Sequence, residues 1–177
     1  MLELVKKYGE AFHNKHLEMD MYDPNGLLVC PVNSIPLSWY VNYNDFWWMN
    51  FVKAINIFAT DYDPIGNVGV CGFDLIYYGV KEPLPTLQYL RFNDQNKIDC
   101  VRTYWNFPWA MELTKTNPIM EAVQTGDVLW MRKDISLDEK QKLAREYWSP
   151  DRVKAVLDFD PSLEHMVDTF KHLYRII

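Results

Sequence analysis

Gln88-Tyr-Leu-Arg-Phe-Asn-Asp-Gln-Asn-Lys-Ile-Asp-Cys-Val-Arg-Thr-Tyr-Trp-Asn106 reads as two strands around a polar turn. The first strand ends at Phe92 and the second begins at Lys97-Ile98. Between them, Asn93-Asp94-Gln95-Asn96 supplies residues that tolerate the left-handed backbone of a tight turn. A period of two along the second strand puts Ile98, Cys100, Arg102, Tyr104 and Asn106 on one face. That face starts apolar and ends polar, as expected of a strand running from a core into a pocket.

Working outward, Val68 to Tyr78 is a further strand, with Gly69 and Gly72 marking a bulge or sharp curvature. With Thr86 to Phe92 and Lys97 to Phe107 it makes a three-strand antiparallel meander. Upstream, Leu4, Val5, Tyr8, Phe12, Leu17 and Met21 recur at near-helical spacing, predicting one amphipathic helix over 2–22 with Asn14 as its weak point. Pro24-Asn25-Gly26 stops it, and Leu27 to Cys30 is a short strand. Pro31 to Tyr43 has two prolines and no period, so it reads as a loop. Asn44 is placed to cap a helix from Asp45 to Phe58.

Downstream, Ile119 to Gln124 is a short helical piece. Ser136-Leu-Asp-Glu139 is a capping box opening a helix to Trp148. Ser149-Pro150 opens another to about Leu157, and Asp160-Pro161 a last one to about Tyr174.

Phe92, the acidic turn, Lys97-Ile98 and the aromatic pair Tyr104-Trp105 followed by Asn106 resemble the last hairpin of the SnoaL-like polyketide cyclases. These belong to the superfamily named after nuclear transport factor two. Met21 to Pro31 resembles the end of that family's first helix and its short strand. The resemblance covers roughly residues 1 to 115. It implies an α+β, cone-shaped, curved antiparallel sheet with N-terminal helices around a deep pocket. Here 1–177 would form one such domain, with 116–177 a helical extension beyond the usual family length.

Composition narrows the classes. The length suits a single core. The net charge is −6 and no basic run is present, which argues against nucleic acid as a partner. No stretch reaches the ~18 apolar residues of a membrane span, and Met1 to Lys7 lacks a signal-peptide apolar run. Cys30, Cys71 and Cys100 are widely spaced and odd in number, so they read as buried reduced thiols and point to a cytoplasmic setting. Seven Trp and eleven Tyr exceed an ordinary core's share. They fill a core and a subunit interface, line a pocket for a flat apolar ligand, or do both.

His13 and His16, three apart with Glu10 and Asp20 nearby, could gather a metal, but the same residues suit a solvated helix face. His165 and His172 read as surface or lid residues. No zinc, phosphate-loop, nucleotide or serine-hydrolase motif occurs, so no metal or other cofactor is expected. That leaves acid–base chemistry by a buried carboxylate or tyrosine. Asp74, between Phe73 and Leu75, is the first candidate. Arg102 is its expected partner, structural or functional, and Tyr104 a proton donor. The family's catalytic Asp position falls on Asn106, and an amide cannot act as a base, so Asn106 is left to orient ligand. Tyr40, Trp39 and Asp20 are the remaining ligand-binding candidates.

The resulting expectation is a cofactor-free isomerase, cyclase, dehydratase or epoxide-opening enzyme on a small hydrophobic polyketide- or terpenoid-like metabolite. The alternative is a non-catalytic binding or dimerisation module of the same fold. A homodimer through Val101, Thr103 and Trp105, taken as the convex face, is also expected.

Overall fold

The computed structural model describes residues 1–31 and 34–166. Helix α1 (Leu2–His13) buries Val5, Tyr8, Gly9 and Phe12, one face at helical spacing. It stops at the expected weak point. Lys15 takes a left-handed φ of 56°, and the amides of Lys15 and His16 return to the carbonyls of Phe12 and Ala11. Those two bonds close the helix end. A 3-10 turn, Met19–Met21, leads into strand β1 (Tyr22–Val29).

The Pro24-Asn25-Gly26 stop lies inside β1, where its pairing with the strand that begins at Ile98 shifts between Tyr22 and Leu27. Gly26 is required there, since a Cβ would lie 2.5 Å from Leu37 Cδ1 and 2.7 Å from the Asp99 carbonyl.

The segment expected to be a loop holds β2 (Ser34–Pro36) and helix α2 (Leu37–Phe46). Leu37, Tyr40, Val41 and Asn44 are buried at i, i+3, i+4 and i+7. The helix expected over 45–58 is absent. After a 3-10 turn at Trp48–Phe51, the chain extends as β3 (Val52–Asp63). Its aromatic neighbours Trp47, Trp48 and Phe51 pack at the turn, and the β-branched run that follows pairs along β4 (Val68–Tyr77).

β5 (Leu84–Phe92) and β6 (Ile98–Trp105) complete the meander. The β5–β6 turn forms as read: Asn93 Oδ1 accepts from the amides of Gln95 and Lys97, and Asn96 is left-handed.

The six strands form one curved mixed sheet in the order β2-β1-β6-β5-β4-β3. All pairings are antiparallel except β1–β6, which is parallel and corrects the all-antiparallel expectation. β1 joins the free edge of β6 after the chain has crossed the whole meander, so its direction is not fixed by a hairpin.

A second correction concerns which way β6 faces. Phe92 pairs with Ile98, but Arg91 pairs with Cys100, so Asp99 is an extra, bulged residue. The bulge keeps Ile98 inward and makes Val101, Thr103 and Trp105 its inward companions. Arg102 and Tyr104 face outward. Simple alternation from Ile98 assigns every later residue to the wrong face.

Among the described residues four C-terminal helices follow: α3 (Phe107–Leu113), α4 (Pro118–Met131), α5 (Leu137–Tyr147) and α6 (Pro150–Phe159), then a 3-10 turn, Pro161–Met166. Side chains cap all four: Asn106, Asn117, Ser136 and Ser149 each accept a first-turn amide. α4 docks on Trp47, whose Nε1 donates to the Ala122 carbonyl and lies where a Cβ on Gly126 would fall. Of the last helix expected from Asp160-Pro161 to Tyr174, residues 161–166 form that 3-10 turn, and the remainder with His172, together with the His165 side chain, lies outside the described residues. Among those described, no helix is long and apolar enough to cross a membrane.

Candidate functional site

The concave face of the sheet and helices α2 and α4 enclose a cavity of about 80 Å3. Strand alternation supplies one side: Phe73, Leu75 and Tyr77 from β4, Thr86 and Gln88 from β5, Thr103 and Trp105 from β6. α2 contributes Tyr40, Tyr43 and Asn44. α4 contributes Asp127, Trp130 and Met131.

Asp127 is the carboxylate on this wall. It follows Val123 by four residues and precedes Trp130 by three, so it lies on the helix face that buries Ile119, Val123 and Trp130. No Lys or Arg pairs with it among the described residues. Burial drives its pKa up to about 7, against an opposing hydrogen bond donated by the Tyr43 hydroxyl to Oδ1. The Tyr43 hydroxyl is itself pushed well up by burial and then by the Asp127 charge. Tyr43 is held by its ring contact with Trp130, centroid to centroid 5.5 Å.

Gln88 organises the opposite wall. Its Oε1 accepts from the Tyr8 hydroxyl at 2.7 Å, and its Nε2 donates to the hydroxyls of Tyr40 at 3.2 Å and Thr103 at 2.9 Å. Burial raises the Tyr40 hydroxyl to about 12, with the Gln88 bond opposing. Tyr77 accepts from Trp48 Nε1 at 2.9 Å. Among the described residues, Asn44 Oδ1 and Trp130 Nε1 have no partner. Each such buried group costs about 1–3 kcal/mol unless something polar meets it. Neither atom is open to the cavity as it stands, so the polar group that the wall presents is the Asp127 carboxylate.

The residues selected from sequence scatter. Tyr40 is in the wall, on a helix rather than a loop, and 5% exposed. Trp39, its neighbour, turns away and lies 3.9 Å beneath Lys140 Nζ. Asp20 is exposed in the 3-10 turn, its carbonyl accepting from Lys97 Nζ. Asn106 is exposed and its Oδ1 accepts from the Trp109 amide as a helix cap.

Asp74 is half-buried, one residue from each of the inward Phe73 and Leu75, and so points to the outer face. Arg102 and Tyr104 share an outer groove with Leu87, Tyr89 and Arg91, and the Tyr104 and Tyr89 rings meet edge to face at 5.6 Å. Asp74 is registered with Pro85 and Arg102 with Tyr89, four positions along β5, and no ion pair joins them. His13 Nδ1 donates to the Ile55 carbonyl at 2.8 Å. Val101, Thr103 and Trp105, expected on a convex dimer face, point inward.

Sequence reading missed Asp127, Tyr43 and Gln88. A signal for Asp127 existed: one carboxylate on the apolar stripe of Ile119, Val123 and Trp130. Nothing local linked it to Tyr43, 84 residues away.

No protein-family model and no curated protein matches the sequence. Solved structures do match. PrhC from Penicillium brasilianum is 11% identical over 72% of this chain and 93% of its own, with a TM-score of 0.57. A putative SnoaL-like polyketide cyclase from Jannaschia sp. is 11% identical over 62% of this chain and 88% of its own, at 0.51. A steroid delta-isomerase from Pseudomonas aeruginosa is 10% identical over 70% and 85%, at 0.50. At such identities the likeness is one of fold, and the fold is SnoaL-like.

Proposed function

We propose that this protein is a cofactor-independent acid–base enzyme on a small hydrophobic, polyketide- or terpenoid-like metabolite, with Asp127 as the proton-transferring group. The observation that carries the reading is a carboxylate without a cationic partner, set in an aromatic cavity and held by the Tyr43 hydroxyl. A carboxyl with a pKa near 7 is matched to both taking and giving a proton at neutral pH. Tyr43 occupies Oδ1, which leaves Oδ2 for the substrate. Trp130 Nε1, buried without a partner, would have to turn toward the cavity to donate to a substrate oxygen on which charge develops. Isomerisation, cyclisation, dehydration and epoxide opening all draw on such a set. The polyketide cyclase and steroid isomerase of the same fold favour this class of chemistry, though fold alone does not establish function.

A second reading is a binding module without turnover. The outward placement of Asp74, Arg102 and Tyr104 and the small inner volume favour it. In either case a second copy of the chain would pack on the outer sheet face at Leu87, Tyr89 and Tyr104, where two exposed aromatics meet. Light scattering at micromolar concentration tests that packing.

Asp127→Asn separates the two readings. Turnover should fall on the order of 10²-fold or more while the fold is kept, the usual scale for a lost acid–base group. Asp74→Asn should retain nearly full rate. A panel of unsaturated ketones and epoxides supplies the assay. Equal rates for wild type and Asp127→Asn would overturn the catalytic assignment.

A further inference from the structure

The inner cavity, about 80 Å3, takes only a few water-sized groups, whereas small-molecule sites run roughly 300–1,000 Å3. A polycyclic or long-chain substrate does not fit there whole. Helices α3 and α4 line a second, half-open cavity of about 390 Å3. Trp105, Asp127 and Met131 line both cavities. Asp127 therefore stands in the partition between them.

We propose that the α3–α4 cavity is the outer chamber of the same site: it holds the apolar body of a neutral, oxygen-bearing ligand while one end reaches Asp127. The inference rests on the acid–base reading only for what happens at that end. Met111, Met120 and Met131 line the chamber, and their unbranched thioethers adjust to irregular apolar shapes. Gln124 Nε2 donates to Met111 Sδ at 2.8 Å, and a thioether is a weak acceptor. A ligand carbonyl or hydroxyl is a better partner and would displace it.

Charge sets the ligand class. Arg132, the cation at this chamber, is held by Asp134 through two hydrogen bonds of 3.1 and 2.6 Å. With that cation committed and Asp127 alongside, a carboxylate or phosphate ligand meets repulsion without compensation. A neutral ketone, alcohol or epoxide does not.

Dye binding to the whole protein tests this. Nile red, a neutral apolar dye with oxygen acceptors, should bind at least ten-fold more tightly than anionic anilinonaphthalene sulfonate. Thr114→Trp and Val128→Trp, which fill the chamber from α3 and α4, should each weaken Nile red at least ten-fold. Val128 is 61% exposed, so its substitution reports even if Thr114→Trp does not fold. Asp74→Asn, on the outer face of the sheet, should change Nile red affinity less than two-fold. Unchanged affinity in the Trp variants, no binding to wild type, or tighter binding of the sulfonate dye overturns the chamber. Full turnover in Asp127→Asn would instead remove the acid–base reading and leave the chamber intact.

Discussion

The two faces of β6 are built from one stretch of chain and do opposite things. Val101, Thr103 and Trp105 turn inward, Val101 into the core and the other two onto the cavity wall, while Arg102 and Tyr104 lie open on the other side of the sheet. The outward pair looks more catalytic on paper: a cation and a phenol in mid-strand. The inward set looks bland. The difference is made by Asp99, whose bulge adds one residue to the count. A polar side chain in a strand thus acquires its meaning from parity, and parity is a property of the pairing rather than of the residue.

A charge placed on either side of β6 separates the two faces most strongly. Thr103→Glu puts an unpaired carboxylate against Gln88 in the cavity wall and should cost about 3–5 kcal/mol in urea unfolding. Arg102→Glu, one residue away and exposed, should stay within about 1 kcal/mol. Equal losses would mean that β6 does not face as described.

Acidity sharpens the contrast next. Asp127 has a folded pKa near 7, raised by burial from the ordinary carboxylate range. Between about pH 4 and 7 the folded state therefore holds a proton that the unfolded chain has released. Stability is greatest at the acid end of this window, falls as pH rises through it, and levels off above pH 7. The swing should be on the order of 2–4 kcal/mol. In Asp127→Asn thermal unfolding should be nearly flat over the same window, and the variant should be more stable than wild type at pH 8.

The smallest effect concerns Asn106, read from sequence as a ligand contact and found as a cap. Asn106→Ala should lower stability by about 1 kcal/mol and leave dye binding unchanged. A binding defect without destabilisation would restore its ligand role.

What could be read from the sequence was local. The Asn93–Asn96 turn, the Ser136 and Ser149 caps and the break at Asn14 are written in a few adjacent residues, and each lies where it was expected or within a residue or two. Residues 31–58 misled because aromatics obscure period. Trp47, Trp48 and Phe51 suit a buried helix, but here Trp47 and Phe51 serve as the hub on which α4 and Trp148 close. The catalytic candidate failed differently. Asp127 and Tyr43 meet only after α4 folds back across α2, and no spacing in the chain announces it. Tyr40 was found because it sits within a conspicuous aromatic run, although its loop was a helix.

The central claim is that the working carboxylate is on the inner face and titrates near neutrality. Carbon-13 NMR of aspartate carboxyls, with the Asp127 signal assigned by its loss in Asp127→Asn, measures this without a substrate. A midpoint near pH 7 is expected for Asp127. A midpoint near pH 4 for Asp127 would contradict it.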